Sequence, residues 1–186
     1  MDSPEIEREG ATRLGERPLT LVGPELHPGD RAPDATLAGK GFVPEPVSLS
    51  AYRGAVLILS TVPSLDTRVC DLETRRWEQE LQALEGPIEM LTVSIDLPFA
   101  QARWCGAAEV HHTTASAYMS DQFARDYGVL IKENHLLARA VFVVDAEGRL
   151  VHVEYVPAIG SEPDYPAALD AARAAAGAAI EDRAQP

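Results

Sequence analysis

Two side chains in this chain of 186 residues can act as soft nucleophiles, Cys70 and Cys105, and they are its only cysteines. Cys70 closes the run Thr61-Val62-Pro63-Ser64-Leu65-Asp66-Thr67-Arg68-Val69-Cys70, which reads as a tight loop passing into a helix whose first turn carries the sulfur. Asp66 or Thr67 can cap that helix, and either choice sets the thiol near the free N–H groups and the positive end of the helix dipole. The thiolate is the reactive form. A cysteine with a pKa near 8.5 is only about 3 % ionised at pH 7, whereas a value near 6, within the range for helix N-termini, gives roughly 90 %. Thr67 lies three residues earlier, so its hydroxyl shares a face with the sulfur and can orient the thiolate or a substrate oxygen. Pro63 fixes φ and removes one N–H, which holds the loop in one shape.

Arg139 is the other conspicuous group, a charge near the start of the apolar run Ala138-Arg139-Ala140-Val141-Phe142-Val143-Val144. Burying a guanidinium without a partner is costly, so a partner is expected unless the side chain snorkels from a strand edge. Arg68 reads as a solvated surface residue. His111 and His112 lack a third orienting residue, so a Cys–His hydrolase is not supported.

The apolar Val56 to Leu59 supplies a strand ahead of the cysteine loop. A helix follows over Asp71 to Leu84, with Val69, Leu72, Trp77, Leu81 and Leu84 as its apolar face and Gly86-Pro87 as its stop. Glu89 to Ile95 alternates as a strand. Pro98 suits the first turn of a helix through Trp104, and Gly106 is expected to end it just after Cys105, where opening is cheapest. His111 to Tyr118 reads as a strand, Asp121 to Tyr127 as a short helix, Ala138 to Asp145 and Arg149 to Val156 as a hairpin, and Asp164 to Ala176 as a closing helix. Ala35 to Leu37 and Val47 to Leu49 are short strands, and Gly15 to Val22 suits an N-terminal hairpin. Residues 1–13 are charged and unpatterned and read as a mobile tail; 14–176 form one domain; 177–186 are expected to fray. The order implies a three-layer α/β domain with a central mixed sheet and helices on both faces.

The net charge of −13 and pI near 4.7 argue against nucleic acid or an anionic membrane surface as partner. No long apolar run occurs, and the first residues lack both a basic and an apolar segment, so a cytoplasmic location is expected. Two cysteines are too few for a secreted disulfide scaffold or a structural zinc site, and leave a redox pair open.

Pro63, Thr67 and Cys70 form Pro-x-x-x-Thr-x-x-Cys, which resembles the peroxidatic signature of the peroxiredoxins. The full Pro-Ser-Leu-Asp-Thr-Arg-Val-Cys looks like the thiol peroxidase branch, the atypical two-cysteine group. Asp96-Leu97-Pro98-Phe99-Ala100-Gln101-Ala102-Arg103-Trp104-Cys105-Gly106 resembles that branch's resolving-cysteine segment. The resemblance implies a thioredoxin-like peroxiredoxin fold with an N-terminal β-hairpin, Cys70 as peroxidatic and Cys105 as resolving cysteine, and Arg139 as the guanidinium that holds thiolate and peroxide oxygens. It further implies reduction of hydrogen peroxide and organic hydroperoxides through a Cys70 sulfenic acid and an intrachain disulfide, recycling by thioredoxin, a homodimer, and no metal or organic cofactor. Organic hydroperoxides are the favoured substrates on that resemblance, with Val62, Phe99 and Tyr52 as apolar walls. Two other readings use the same residues, a redox sensor or relay that oxidises a partner protein, and a binding module with a structural Cys70–Cys105 bridge. In the reduced state the sulfurs are expected to lie too far apart to bond, so that oxidation requires local unwinding.

Overall fold

The computed structural model describes residues 5–184, with side chains described through residue 180. Its centre is β5 (Val56–Thr61), a strand buried along its whole length because both faces of the sheet are covered. Parallel to it run β6 (Ile88–Ser94) and then β7 (Thr113–Ser116). On the other side β9 (Ala140–Val144) pairs antiparallel with β5, and β10 (Leu150–Tyr155) with β9. The short strands β3 (Thr36–Ala38) and β4 (Pro46–Ser48) complete a seven-stranded mixed sheet in the order β10-β9-β5-β6-β7-β3-β4.

One face carries α1 (Arg68–Leu81), α2 (Pro98–Ala108) and α4 (Tyr165–Ala184), with Val56, Ile58, Val141 and Val143 packed on Trp77, Ala168, Leu169 and Ala172. Trp77 meets Tyr165 edge-on at 4.7 Å between ring centroids, which locks α1 to α4. The opposite face, with Leu57, Leu59, Leu91, Val93 and Phe142, is covered by α3 (Gln122–Asp126) and a separate three-stranded sheet, β1-β2-β8. The expected three-layer, thioredoxin-like α/β architecture with an N-terminal hairpin is therefore present.

Two expectations for the ends fail. Strand β1 spans Glu7–Leu14, within the stretch read as a tail, and pairs with β2 (Arg17–Val22), which in turn meets β8 (Leu130–Ile131). Its charged residues conceal the strand because one side faces solvent, while Gly10, at φ 69°, and a register shift between Arg8 and Thr12 interrupt the alternation. The inward-facing Thr12 hydroxyl donates to Val156 O at 3.1 Å, and Ile159 N–H donates to Arg13 O at 2.9 Å. At the other end α4 continues to Ala184 instead of fraying from residue 177, as its alanine-rich sequence favours helix throughout. Residues 1–4 and 185–186 of the expected tails lie outside the described residues. Among the described residues no helix is long and apolar enough to cross a membrane.

Candidate active site

The pairing of β5 with β9 builds the site. Thr61, the last residue of β5, stands opposite Ala140, the first of β9, so the chain leaving β5 for α1 passes beside Arg139. Thr61 Oγ1 reinforces the crossing by donating to Ala138 O at 2.7 Å. The loop from Val62 to Thr67 is then fastened to the end of β6. Asp96 accepts from Ser64 Oγ at 2.7 Å, Leu65 N–H at 2.8 Å and Ser94 Oγ at 2.7 Å, while Val62 N–H donates to Val93 O at 2.9 Å. Pro63 is buried within this loop. Asp96 was visible in the sequence only as part of the second cysteine's segment, although its carboxylate organises the loop of the first.

Thr67 is the N-cap of α1, but its side chain does not cap the helix. Its Oγ1 lies 2.8 Å from Cys70 Sγ and 2.9 Å from Ser64 O. A hydroxyl has one proton, so the two contacts describe a switch. With a thiol, Cys70 S–H donates to Thr67 while Thr67 donates to Ser64 O; with a thiolate, the Thr67 proton turns to the sulfur. Cys70 itself is fully buried, and Arg139 Nη2 reaches its sulfur at 3.3 Å.

Arg139 is 1 % exposed, so the snorkelling alternative is excluded and the expected partner is Glu73, which is 0 % exposed. Arg139 Nη1 donates to Glu73 Oε2, Nη2 also donates to Ile159 O at 3.1 Å, and Ser60 Oγ and Trp77 Nε1 donate to Glu73 Oε1 at 2.7 and 3.3 Å. Burial raises the Glu73 carboxyl above its ordinary range, against the opposing pull of the Arg139 charge and the donated hydrogen bonds. For Arg139, burial works against the charge, but Glu73 and the adjacent Cys70 sulfur outweigh it and raise the guanidinium's pKa. Arg139 Nε is a buried donor with no acceptor among the described residues.

Glu73 is the main residue the sequence reading missed. The sequence pattern gives α1 a conventional apolar face that includes Leu72, whereas the buried face is Cys70, Glu73, Thr74 and Trp77, and Leu72 is 46 % exposed. A signal existed. A buried Arg139 beside Cys70 requires an anion on the same helix face, and Glu73 is three residues on from the cysteine. Leu72 instead lines an open recess beside the cysteine with Leu65, Thr67, Arg68 and Trp104. Arg68 is exposed there, as expected.

Cys105 belongs to the same small cluster as Cys70, with Val62, Leu65, Trp104, Ala108 and Val110, and both cysteines are free thiols. Helix α2 does not end at Gly106. It continues to Ala108 and closes at Glu109, left-handed at φ 55°, with the N–H groups of Glu109 and Val110 both directed at Cys105 O. Cys105 is thus nearly a turn inside the helix, 8 % exposed, its sulfur 3.5 Å from Thr114 Oγ1. Burial pushes this thiol above its ordinary value, only partly offset by the Thr114 hydroxyl.

The expected apolar walls separate. Val62 is in the cysteine cluster, and Phe99 is half exposed on the first turn of α2, its ring 6.2 Å from that of Phe42. Tyr52 is not a wall of this site. It precedes β5, whereas Cys70 follows it, so a strand of about 20 Å separates them, and Tyr52 lines a different cavity with Pro33, Leu49 and Val144. Among the described residues no three His, Cys, Asp or Glu side chains converge into a metal site.

The chain matches the Redoxin family over residues 27–169. It is 46 % identical over 159 residues to a thiol peroxidase of Halalkalibacterium halodurans, covering 85 % of this chain and 94 % of that one. It is likewise 46 % identical over 164 residues to a thiol peroxidase of Streptococcus pneumoniae, covering 88 % of this chain and 98 % of that one. Among solved structures, a peroxiredoxin-like protein from Aquifex aeolicus superposes with a TM-score of 0.80 at 38 % identity, over 89 % of this chain and 96 % of that one. A thiol peroxidase from Chromobacterium violaceum, 20 % identical, shares the fold with a TM-score of 0.77, over 84 % and 91 % of the two chains. A buried thiol served by a threonine and an arginine, on this fold and with these relatives, places the chain in the redoxin family and its thiol peroxidase branch, as a thiol-dependent peroxidase.

Proposed function

We propose that Cys70 is the peroxidatic cysteine and Cys105 the resolving one, in a cycle that reduces hydrogen peroxide and organic hydroperoxides at the expense of thioredoxin. The observation that carries this reading is the convergence of Thr67 Oγ1 and Arg139 Nη2 on the Cys70 sulfur at the start of α1. Both groups can donate to a negative sulfur, and the remaining Arg139 Nε can donate to a peroxide oxygen. The Cys70 thiolate attacks one peroxide oxygen, the O–O bond breaks, and the other oxygen leaves as alcohol or water once protonated. Cys70 is left as a sulfenic acid. Cys105 then forms the intrachain disulfide, releasing water, and a thioredoxin dithiol restores both thiols through a mixed disulfide. Pro63 and Asp96 hold the loop that presents Cys70.

The half-exposed Leu72, which lines the recess beside Thr67 with Leu65 and Trp104, favours organic hydroperoxides over hydrogen peroxide. A homodimer and a cytoplasmic location complete the reading, supported by the likeness to bacterial thiol peroxidases. Steady-state peroxide consumption with a thioredoxin system is the test. Turnover well beyond one peroxide per chain is expected, whereas consumption that stops at one equivalent with active reductant present would leave only a sensor or relay.

A further inference from the structure

Cys105 is a free thiol nearly a turn inside α2, and the described residues show what holds that end of the helix. Arg75, on the face of α1 turned toward α2, donates from Nη1 to Ala108 O at 3.0 Å. That carbonyl is in the last turn of α2, where no partner exists within the helix and where the dipole favours a cation. The same guanidinium lies over the Trp104 ring, 5.6 Å from its centroid, so it grips the residue before Cys105 and the last residue of the helix together. Arg75 is itself aimed by Asp71, whose two carboxylate oxygens each accept from Nε at 3.1 Å. Asp71 is the residue after Cys70.

Two neighbouring features give this contact its meaning. Beyond the helix, Glu78 accepts from the N–H groups of His111 and His112 at 3.0 Å each and from His112 Nδ1 at 2.7 Å, which fixes the entry to β7 on α1. Within the helix, Gly106 is exposed, and a Cβ there would meet nothing within 4 Å, so no close approach demands a glycine directly after Cys105. Its effect is to weaken the helix, by about 1 kcal/mol relative to alanine. The segment between Leu97 and Val110 is thus anchored beyond its end, weakened beside the sulfur, tied in its first half by Gln101 to Ser94 Oγ and Ala115 O, and gripped in its last turn by Arg75.

We propose that Arg75 is a positioning residue that latches the Cys105 helix shut, and that release of this latch sets the rate of disulfide formation. The inference rests on the reading of Cys105 as resolving cysteine. In that step the Cys105 sulfur, giving up its proton, attacks the Cys70 sulfenic sulfur; the S–S bond forms, the S–O bond breaks, and the departing hydroxide takes the proton as water. Opening at the first turn of α1 displaces Asp71 and so loosens Arg75. The latch thereby couples movement at one cysteine to movement at the other.

The test mixes reduced full-length protein with excess hydrogen peroxide and follows tryptophan fluorescence, with alkylation and mass measurement assigning sulfenic acid and disulfide. Arg75→Met should raise the peroxide-independent, first-order phase about tenfold, the factor equivalent to about 1.4 kcal/mol of lost closed-state stabilisation, while the second-order phase stays within about twofold. Arg75→Lys should fall between Arg75→Met and the native protein. Gly106→Ala should slow the same phase several-fold by strengthening the helix. Asp71→Asn should accelerate it in the native background and add nothing to Arg75→Met, which separates the latch from general loss of stability. Should Arg75→Met fail to fold, Arg75→Lys and Asp71→Asn decide the matter by the same sign. An unchanged or slower first-order phase in the arginine variants overturns the latch. Cys105→Ser distinguishes the two levels of failure: if it abolishes the first-order phase while Arg75→Met leaves that phase unchanged, only the latch falls, and if the phase survives Cys105→Ser, the resolving assignment falls and the latch with it.

Discussion

Cys70 and Cys105 share one apolar cluster, yet their polar surroundings have little in common. Around Cys70 stand the Thr67 hydroxyl and the Arg139 guanidinium, backed by a buried carboxylate with two further donors. Around Cys105 stands the Thr114 hydroxyl at 3.5 Å, and burial keeps the proton on the sulfur. One sulfur is equipped to react where it is. The other is quiet where it is and, in the proposed cycle, has to move, so the two halves of that cycle are controlled by different physics: electrostatics for the first, helix stability for the second.

Substitutions at the two cysteines should break the comparison most completely. Cys70→Ser should lose peroxide reduction by more than about a thousandfold, since a hydroxyl is a far weaker nucleophile, whereas Cys105→Ser should keep the first oxidation within about twofold and lose recycling by thioredoxin. Rapid-mixing kinetics with peroxide, beside turnover with reductant, reads both. Next in size is Glu73→Gln, which leaves Arg139 buried with a weaker partner. It should lower the second-order rate constant with peroxide roughly ten- to a hundredfold and destabilise the fold by about 3 kcal/mol, seen in denaturant unfolding. Thr67→Val should lower the same rate constant by roughly tenfold, the scale of one hydrogen bond to a charged acceptor, with unfolding little changed.

The smallest expected effect concerns the Cys105 side and pH. The His112 imidazole is held below its ordinary value by burial, although Glu78 opposes this, and burial likewise lowers His152. On acidification the unfolded chain therefore takes up protons first, and stability is lost as pH falls through about 6.5. Glu78 adds to this further down. Burial opposes its ionisation, but the hydrogen bonds from His112 and His111 outweigh that and lower its pKa, so its contribution is lost as pH drops below the ordinary carboxylate range. His112→Gln should flatten, without abolishing, the fall in thermal midpoint between pH 7 and pH 5.5, and a slope identical to the native protein's would refute the assignment.

The Cys70 half of the site was largely legible because its determinants are local. A strand, a proline-bearing loop, a threonine and a cysteine at helix spacing all sit within one short stretch. Arg139 could be read as needing an anion, and helix spacing points to Glu73 once Arg139 is set beside Cys70, a neighbourhood that the register of β5 against β9 creates and no local pattern carries. The Cys105 half was misjudged at Gly106, since a glycine in a helix and a glycine ending one look alike until the left-handed residue, here Glu109, is located. Tyr52 failed for a related reason: nearness in sequence to β5 says nothing about which end of the strand a side chain occupies. Strand β1 was hidden because a solvent-facing strand with a bulge need not alternate.

That first strand has a practical consequence. Arg13 O accepts from Ile159 N–H, and Ile159 O accepts from the same Arg139 Nη2 that reaches Cys70, while Thr12 Oγ1 donates to Val156 O and Val156 N–H donates to Arg139 O. Two short relays thus run from the N-terminal hairpin to Arg139, one ending on its guanidinium and one on its backbone carbonyl. Proteolytic nicking within β1 would be felt at the sulfur as a loosened arginine, and purified protein clipped there would pass for a sluggish enzyme.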